Sequence, residues 1–240
     1  YIITKLLKGV MRGMFKTNVP TFVTNEGDQV ITPFGPSIFQ TEIPHNITKD
    51  LIDEGRKLTK EDDFNPKLAG NLKYGRSYHY KRDFIDRLEP VLKDKCEKYF
   101  NALIDISGPK QESLIYETML VQHNLRERRQ GNLRLDTLWV NFSQKHDFNP
   151  PHDHSGILSF VIYCKVPKEI FTTQADSNNQ HAGEIVFQYS DRIAQFMGSE
   201  YPIKPYEGLM FLFPSKLKHY VPPYWVDAER ISVSGNFVVI

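Results

Sequence analysis

Residues 149–163 read NPPHDHSGILSFVIY, which combines a proline turn, a histidine pair and the start of an apolar run. The run covers residues 158–166 and is rich in β-branched and aromatic residues, as β-strands are. Five more runs of this kind, separated by Gly, Pro, Asn and Asp, occupy residues 114–121, 133–142, 184–189, 208–213 and 230–240. Because no long helical period interrupts these runs, the pattern predicts a sandwich or barrel rather than a parallel β-α-β sheet.

The first half of the chain has a mixed pattern. Apolar residues three and four apart in residues 2–15 fit a short amphipathic helix or a terminal arm. Residues 21–39 alternate apolar pieces with proline and glycine, as strands broken by turns do. Thr48 is predicted to cap one helix. Pro90 is predicted in the first turn of another, which runs to Ser107, because a missing N–H costs nothing there.

The composition is that of an ordinary globular chain. Of 240 residues, 40% are hydrophobic and 25% are charged, which excludes disordered, collagen-like and coiled-coil classes. Thirty basic residues against 29 acidic ones leave a net charge of +1, so no overall field favours nucleic acid or an anionic membrane as a partner. No apolar run approaches the ~20 residues that cross a bilayer.

The two cysteines, Cys96 and Cys164, lie far apart inside regular segments. This favours free thiols and a reducing compartment over a disulfide framework. The first fifteen residues are basic and mixed, unlike the apolar core of a signal peptide. We therefore expect a cytoplasmic protein.

The sequence pattern changes from mixed to β-rich near residue 110, where only residues 107–111 are available as a connection. This indicates a boundary between layers rather than a linker between domains. The prediction is one globular unit over residues 1–240, of the mainly β with α class. An α+β supporting region, residues 1–110, packs its helices outside a β core, residues 112–240.

Three of the eight histidines stand apart. His152 and His154 precede a predicted strand, and positions i and i+2 of extended chain share a face, so Asp153 points away. His219 comes 65 residues later, after the run at 208–213, and an antiparallel barrel can return it to the same place. Together the three imidazoles can bind one metal ion. Taken singly, each histidine is as compatible with a surface or hydrogen-bonded role.

Arg230 and Ser232 share a face of the last predicted strand. A planar guanidinium binds a carboxylate through two parallel hydrogen bonds, and a neighbouring hydroxyl can add a third. Asn141 and Asn236, on predicted strands that would flank the metal, either orient a ligand or satisfy buried backbone.

These residues together resemble the double-stranded β-helix (jelly-roll, cupin-like) oxygenases that depend on 2-oxoglutarate and Fe(II). The resemblance covers residues 112–240. Within these oxygenases, the chain most resembles a group found in bacteria and tailed phages, which is similar to the prolyl hydroxylase branch. If the chain is phage-encoded, its place is the host cytoplasm. The segments that carry the resemblance are residues 139–141, 151–154, 158–163, 205–215, 219–221 and 230–232.

One position departs from the family pattern, in which His-x-Asp or His-x-Glu precedes a distal histidine. His154 occupies the carboxylate position. Three interpretations are open: three histidine ligands, a carboxylate from Asp153 or Asp147, or a degenerate site that only binds. We favour the first, because the resembled group often has histidine there and because Arg230 with Ser232 is present.

The resemblance implies an iron site formed by His152, His154 and His219. It also implies that Arg230, with Ser232, Tyr163 and Asn141, binds 2-oxoglutarate, with ascorbate as a reductant. The implied reaction hydroxylates an unactivated C–H bond and forms succinate and CO2. The expected substrate is a small molecule or a peptide, with a prolyl residue as first candidate.

Two other functions remain as alternatives: a cupin-like metal or small-molecule binding module without turnover, and a three-histidine dioxygenase that does not use 2-oxoglutarate. The pair Arg230 and Ser232 argues against both.

Six aromatic residues of the β half either line a dry interior or pack its core. They are Trp139, Phe142, Tyr163, Phe187, Phe211 and Phe213.

Overall fold

The computed structural model describes residues 21–32, 36–70, 72–107, 132–172, 181–189 and 199–240. The helix predicted in residues 2–15 and the strand predicted in residues 114–121 lie outside the described residues.

Twelve strands in the described residues form two antiparallel sheets. The major sheet has the order β1-β2-β3-β10-β7-β12-β5-β4, and the minor sheet has the order β6-β11-β8-β9. This arrangement confirms the mainly β, double-stranded β-helix fold. The strands are β1 (Thr21–Val23), β2 (Gln29–Ile31), β3 (Ile38–Glu42), β4 (Arg76–His79), β5 (Leu133–Ser143), β6 (Asn149–His152), β7 (Leu158–Lys165), β8 (Ile185–Gln188), β9 (Glu200–Ile203), β10 (Leu209–Pro214), β11 (Lys218–Val221) and β12 (Arg230–Val239).

Strands from both halves of the chain share the major sheet, since β3 pairs with β10 and β4 pairs with β5. The described helices are α1 (His45–Gly55), α2 (Arg82–Ser107) and the single turn α3 (Glu169–Thr172), with 3-10 turns at Lys60–Asp62 and Asn65–Lys67. α1 packs against β7 and α2 against β5, on the outside of the fold as predicted. The first region therefore supplies strands as well as helices.

The two faces of the major sheet have different roles because successive side chains of a strand alternate. On β5, Val140 and Phe142 are buried under the helices, where they join Leu88 and Leu92 of α2. Asn141, between them, faces the minor sheet. The apolar face thus fixes the strands on the helices, and the polar face is left for a site.

Pro90 lies inside α2, so the prediction that this helix begins at Pro90 was wrong. The buried stripe of Phe84, Leu88 and Leu92 continues on both sides of the proline. Each such side chain contributes about 1.5–3 kcal/mol when fully buried, which together outweighs the ~3 kcal/mol that an interior proline costs. Pro90 is exposed, so the helix surface around it remains open to water.

The prediction that Thr48 caps a helix was also wrong. α1 begins three residues earlier, at His45, directly after Pro44. Thr48 is buried, and its Oγ1 donates to the carbonyl of His45 within the first turn. The hydroxyl therefore bonds back along the helix instead of accepting an N–H at its start.

A second apolar core fills part of the space between the sheets. Phe187 packs edge-on against Phe211 and Phe213, with centroids 5.8 and 5.0 Å apart. Cys96 and Cys164 are both free and buried, and burial raises the pKa of Cys164 to about 12. No helix in the described parts of the chain has the length and apolarity to span a membrane.

Candidate functional site

A cavity of about 460 Å³ lies between the two sheets. The polar face of the major sheet forms its floor, and the minor sheet contributes its candidate metal ligands. From β5, β7 and β12 it is lined by Thr137, Trp139, Asn141, Ser143, Val161, Tyr163, Arg230, Ser232, Ser234 and Asn236.

Three histidines converge at this cavity. His152 ends β6, His154 follows it by two residues, and His219 lies on β11 opposite His152. One ring nitrogen from each lies within 4.8 Å of the others, and the Nε2 atoms of His154 and His219 are 3.3 Å apart. Three imidazole donors this close fit a single transition-metal ion, for which imidazole is a preferred ligand.

Backbone carbonyls fix the orientation of two of the rings. Nδ1 of His152 lies 2.7 Å from the carbonyl oxygen of Pro150, and Nδ1 of His219 lies 3.0 Å from that of Leu217. A carbonyl oxygen only accepts, so each Nδ1 carries the proton and each Nε2 has a lone pair that can bind a metal. Nε2 of His152 also lies 3.4 Å from Nδ2 of Asn149.

The environment keeps all three imidazoles neutral. Burial, with a smaller contribution from the repulsion that a protonated His152 would exert, lowers the pKa of His154 to about 4. Burial likewise lowers the pKa of His152, and it holds that of His219 well below its usual value. Neutral imidazoles are the form that binds metal, because a protonated nitrogen has no lone pair to donate.

The two aspartates considered as alternative ligands are engaged elsewhere. Asp153 is turned to the surface, where Oδ1 accepts from Nζ of Lys216 at 3.2 Å. Asp147 is buried, and its two carboxylate oxygens accept the backbone N–H groups of Tyr74 and Gln144 at 3.0 and 2.8 Å. Neither belongs to the group of potential ligands that the described residues bring together.

Arg230 lies at the start of β12 with only 6% of its surface exposed. Its Nη1 donates to the carbonyl of Gly183 at 2.8 Å, whereas Nε is buried without a hydrogen-bond partner among the described residues. A buried donor left unpaired costs about 1–3 kcal/mol. This part of the cavity is therefore suited to a ligand that accepts hydrogen bonds, such as a carboxylate.

A polar row crosses the floor of the cavity next to Arg230. Ser232 on β12 is paired with Tyr163 on β7 and with Asn141 on β5. Asn141 Oδ1 is buried and has no partner in the described structure. The row offers hydroxyl and amide groups beside the guanidinium, and these groups can donate hydrogen bonds to a carboxylate ligand.

Asn236 is satisfied by the protein itself. Its Oδ1 accepts from Ser159 Oγ at 2.7 Å and its Nδ2 donates to Thr137 Oγ1 at 3.0 Å. Of the two roles considered for this residue, the hydrogen bonds support the structural one.

The N-terminal half supplies one wall of the cavity. Phe64, Lys67 and His79 line it. Phe64 stacks on Trp139 with centroids 5.0 Å apart, and Trp139 lies 5.6 Å from the ring of His154. No local motif in the sequence marks this wall, because the pairing of β4 with β5 is what brings it to the site.

All seven residues proposed from the sequence line this one cavity: Asn141, His152, His154, Tyr163, His219, Arg230 and Ser232. Their individual roles stay predictions. Among the aromatic residues, Trp139 and Tyr163 line the cavity, whereas Phe142, Phe187, Phe211 and Phe213 belong to the apolar cores.

Comparison with known proteins gives one family. Residues 137–236 match the model of the family described as "Putative 2OG-Fe(II) oxygenase". No curated protein matches the chain.

Several solved structures are similar to the chain at low identity. They include a viral collagen prolyl hydroxylase from Paramecium Bursaria Chlorella virus-1 in complex with 2-oxoglutarate (13% identity, 83% of this chain and 94% of that chain, TM-score 0.47). A Pseudomonas putida prolyl-4-hydroxylase is 16% identical over 84% of this chain and 91% of its own, with a TM-score of 0.42. HygX from Streptomyces hygroscopicus, bound to nickel, 2-oxoglutarate and hygromycin B, is 9% identical over 84% and 82%, with a TM-score of 0.48.

The matched residues, 137–236, contain all seven proposed site residues. The cavity offers three metal-binding nitrogens and, separately, a buried guanidinium with an unpaired donor, so its chemistry fits both Fe(II) and 2-oxoglutarate. Residues 137–236 therefore resemble the 2-oxoglutarate- and Fe(II)-dependent oxygenases both in sequence and in the chemistry of the cavity that they line.

Proposed function

We propose that the protein is a 2-oxoglutarate- and Fe(II)-dependent oxygenase that hydroxylates an unactivated C–H bond and forms succinate and CO2. The observation that carries the proposal is the presence, in one cavity, of three converging histidine nitrogens and a buried arginine with an unpaired Nε. When bound, Fe(II) supplies the redox chemistry by which one atom of O2 enters succinate and the other enters the hydroxyl group of the product.

His152, His154 and His219 are the proposed iron ligands, each through Nε2. The carbonyl partners of His152 and His219 orient two of the rings before any metal binds, as outer partners of metal ligands do. The proposal gives the protein three neutral donors and no carboxylate. It is supported by the contacts that hold Asp153 and Asp147 away from the cluster.

Arg230 is proposed to pair with the carboxylate of 2-oxoglutarate that lies far from the metal. Ser232 and Tyr163 add hydroxyl groups, and Asn141 an amide, along the row that crosses the cavity floor. Their burial strengthens each charge-assisted hydrogen bond, because little water competes for the same groups.

Aromatic side chains keep water away from the proposed metal centre. The ring of Phe213 lies 4.8 Å from that of His219, and the ring of Trp139 lies 5.6 Å from that of His154. Phe64 covers Trp139 in turn. Exclusion of water limits side reactions of an oxidising centre and strengthens electrostatic contacts inside it.

The first substrate to test is a prolyl residue in a peptide. This choice rests on the resemblance of residues 151–163, 205–221 and 230–232 to the prolyl hydroxylase branch. The assay is succinate formation that rises above the uncoupled rate when a proline-containing peptide is added.

The co-substrate site is tested by anaerobic titration of the Fe(II)-loaded protein with 2-oxoglutarate. We expect a visible charge-transfer band, and in Arg230→Ala a dissociation constant for 2-oxoglutarate about 10- to 100-fold higher, because a charged hydrogen bond is worth about 1.5–3 kcal/mol. Arg134→Ala is the matched control, since Arg134 is an exposed arginine on β5 that pairs with Asp136.

Each alternative function predicts another outcome. A folded protein that binds Fe(II) but gives no band with 2-oxoglutarate would favour the alternative of a binding module without turnover. Oxygen consumption that needs the metal but not 2-oxoglutarate would favour the alternative of a three-histidine dioxygenase.

A further inference from the structure

Four charged side chains line the cavity in the described residues, and three of them are already engaged. The carboxylate of Asp147 accepts two backbone N–H groups, Asp153 pairs with Lys216, and Arg230 is assigned to 2-oxoglutarate. Lys67 is exposed and has no ion pair within the described chain. It is thus the charge that the lining leaves for another ligand.

Lys67 begins a line of contacts that ends at the proposed metal centre. Its Nζ lies 5.7 Å from the centroid of Phe64, Phe64 stacks on Trp139 at 5.0 Å, and Trp139 lies 5.6 Å from His154. Phe64 and Trp139 are 9% and 4% exposed. A buried apolar wall therefore joins an exposed cation to a proposed iron ligand.

His79 flanks this wall without adding charge. Its ring lies 5.6 Å from that of Phe64. Burial, with a smaller effect of the Lys67 charge, lowers the pKa of His79, so it is neutral at pH 7. Lys67 is then the cation of the wall, and no carboxylate among the described lining residues is free to neutralise it.

The ligand set of the metal centre also affects the net charge that a substrate meets in the cavity. Fe(II) carries two positive charges, and 2-oxoglutarate brings two negative ones. The carboxylate ligand of the family pattern would contribute one more negative charge, but His154 contributes none. The complex with co-substrate is therefore neutral, whereas with a carboxylate ligand it would carry one negative charge, so it does not repel an anionic group on the substrate.

We propose that Lys67, Phe64 and Trp139 form a substrate subsite for molecules that carry a carboxylate beyond an apolar segment. The carboxylate pairs with Nζ of Lys67, the apolar segment lies along Phe64 and Trp139, and the reacting C–H bond reaches the side of His154. The subsite deepens the proposed hydroxylase function and rests on it, since His154 is taken as the metal end of the wall.

Binding of benzoate and of benzamide to metal-free protein tests the subsite. The two probes have the same ring, and only benzoate is charged. The chain has two tryptophans, so Trp225→Phe leaves Trp139 as the single emitter and reports occupancy of this wall. We expect benzoate to perturb Trp139 emission saturably, with a dissociation constant about 5- to 10-fold below that of benzamide, as one partly solvated ion pair allows.

Lys67→Gln in the same background should remove the difference between the probes. Lys216→Gln, which removes a surface lysine that pairs with Asp153, should preserve it. Calorimetry of the same variants checks that the emission change follows binding. Benzoate that binds no better than benzamide, or whose binding survives Lys67→Gln, would overturn the subsite.

A third variant separates this subsite from the co-substrate pocket. Benzoate binding should persist in Arg230→Ala, and its loss there would assign the probe to the pocket of 2-oxoglutarate and overturn the proposal. All these measurements use metal-free protein. A failure of Fe(II)- and 2-oxoglutarate-dependent turnover would therefore be seen separately.

Discussion

At the scale of single residues, the side chains of two neighbours in the chain point in different directions. The Nε2 atom of His154 approaches that of His219, whereas the carboxylate of Asp153 pairs with Lys216 at the surface. The backbone N–H of His154 is held by the carbonyl of Ser215 at 2.9 Å, which fixes this orientation. Which of the two is proposed as the third metal ligand therefore depends on how the chain leaves β6.

The proposed ligand set is tested by replacing His154 and Asp153 in turn. We expect His154→Ala to weaken metal binding by at least about 100-fold, more than the loss of an outer partner of a ligand costs. Asp153→Ala should bind metal as the unchanged protein does. Competition with a chelator, read by metal analysis of the desalted protein, gives both values.

His154→Asp provides the rescue for this pair. It restores the carboxylate of the family pattern and should retain metal, which a purely structural role of His154 would not predict. Metal retained in His154→Ala and lost in Asp153→Ala would move the third ligand to Asp153.

The sequence revealed the site residues that follow a local rule. His152 with His154, and Arg230 with Ser232, lie two positions apart on extended chain, so each pair shares a face whatever the fold. The wall residue Lys67 follows no such rule. Its place at the cavity depends on pairing between strands from distant parts of the chain, which a short motif cannot encode.

At the scale of elements, the sequence did not reveal four of the described strands, and all of them except the inner strand β11 lie at the edges of sheets. The three edge strands are β4 at the end of the major sheet, and β6 and β9 at the two ends of the minor sheet. β6 contains two prolines and β9 contains one. Proline lacks the N–H that an inner strand needs, so it is tolerated at an edge and hides the strand from a pattern search.

The interior proline of α2 leads to a prediction about the stability of the fold. Pro90→Ala restores a backbone donor in the middle of an exposed helix face. We expect the free energy of unfolding to rise by about 1–3 kcal/mol, since proline is ~3 kcal/mol less favourable than alanine there and part of this is offset in the unfolded chain. Urea unfolding followed by circular dichroism measures the change.

Val91→Ala is a suitable control for this substitution, because Val91 is the adjacent residue of the helix and 37% of its surface is exposed. It should change the free energy of unfolding by less than about 0.5 kcal/mol. A loss of stability in Pro90→Ala would mean that the packing of α2 on β5 requires the bend that a proline introduces.

At the scale of the whole molecule, the two regions recognised in the sequence are joined by backbone hydrogen bonds. β3 pairs with β10, and β4 with β5. One apolar core contains residues of α2 together with residues of β5, β7 and β12. Within the described residues the two regions thus share a sheet and an apolar core, and the single unit over residues 1–240 stays a prediction.

The two cysteines report on the two regions separately, because Cys96 lies on α2 and Cys164 on β7, and both are buried. Pulsed alkylation in increasing urea, with each thiol quantified by mass spectrometry, should expose both at the same midpoint. Complete labelling of both in concentrated urea is the control. Labelling of Cys96 at clearly lower urea would mean that residues 1–110 unfold as a separate unit.

Arg230 enters any binding event with its conformation already set. Its Nη1 is held by the carbonyl of Gly183, at the start of the segment that leads into β8. An arginine side chain loses about 2 kcal/mol of rotational entropy when it is immobilised. Here that loss falls on the folding of the chain, so an incoming dicarboxylate meets a rigid receptor and keeps more of its contact energy as affinity.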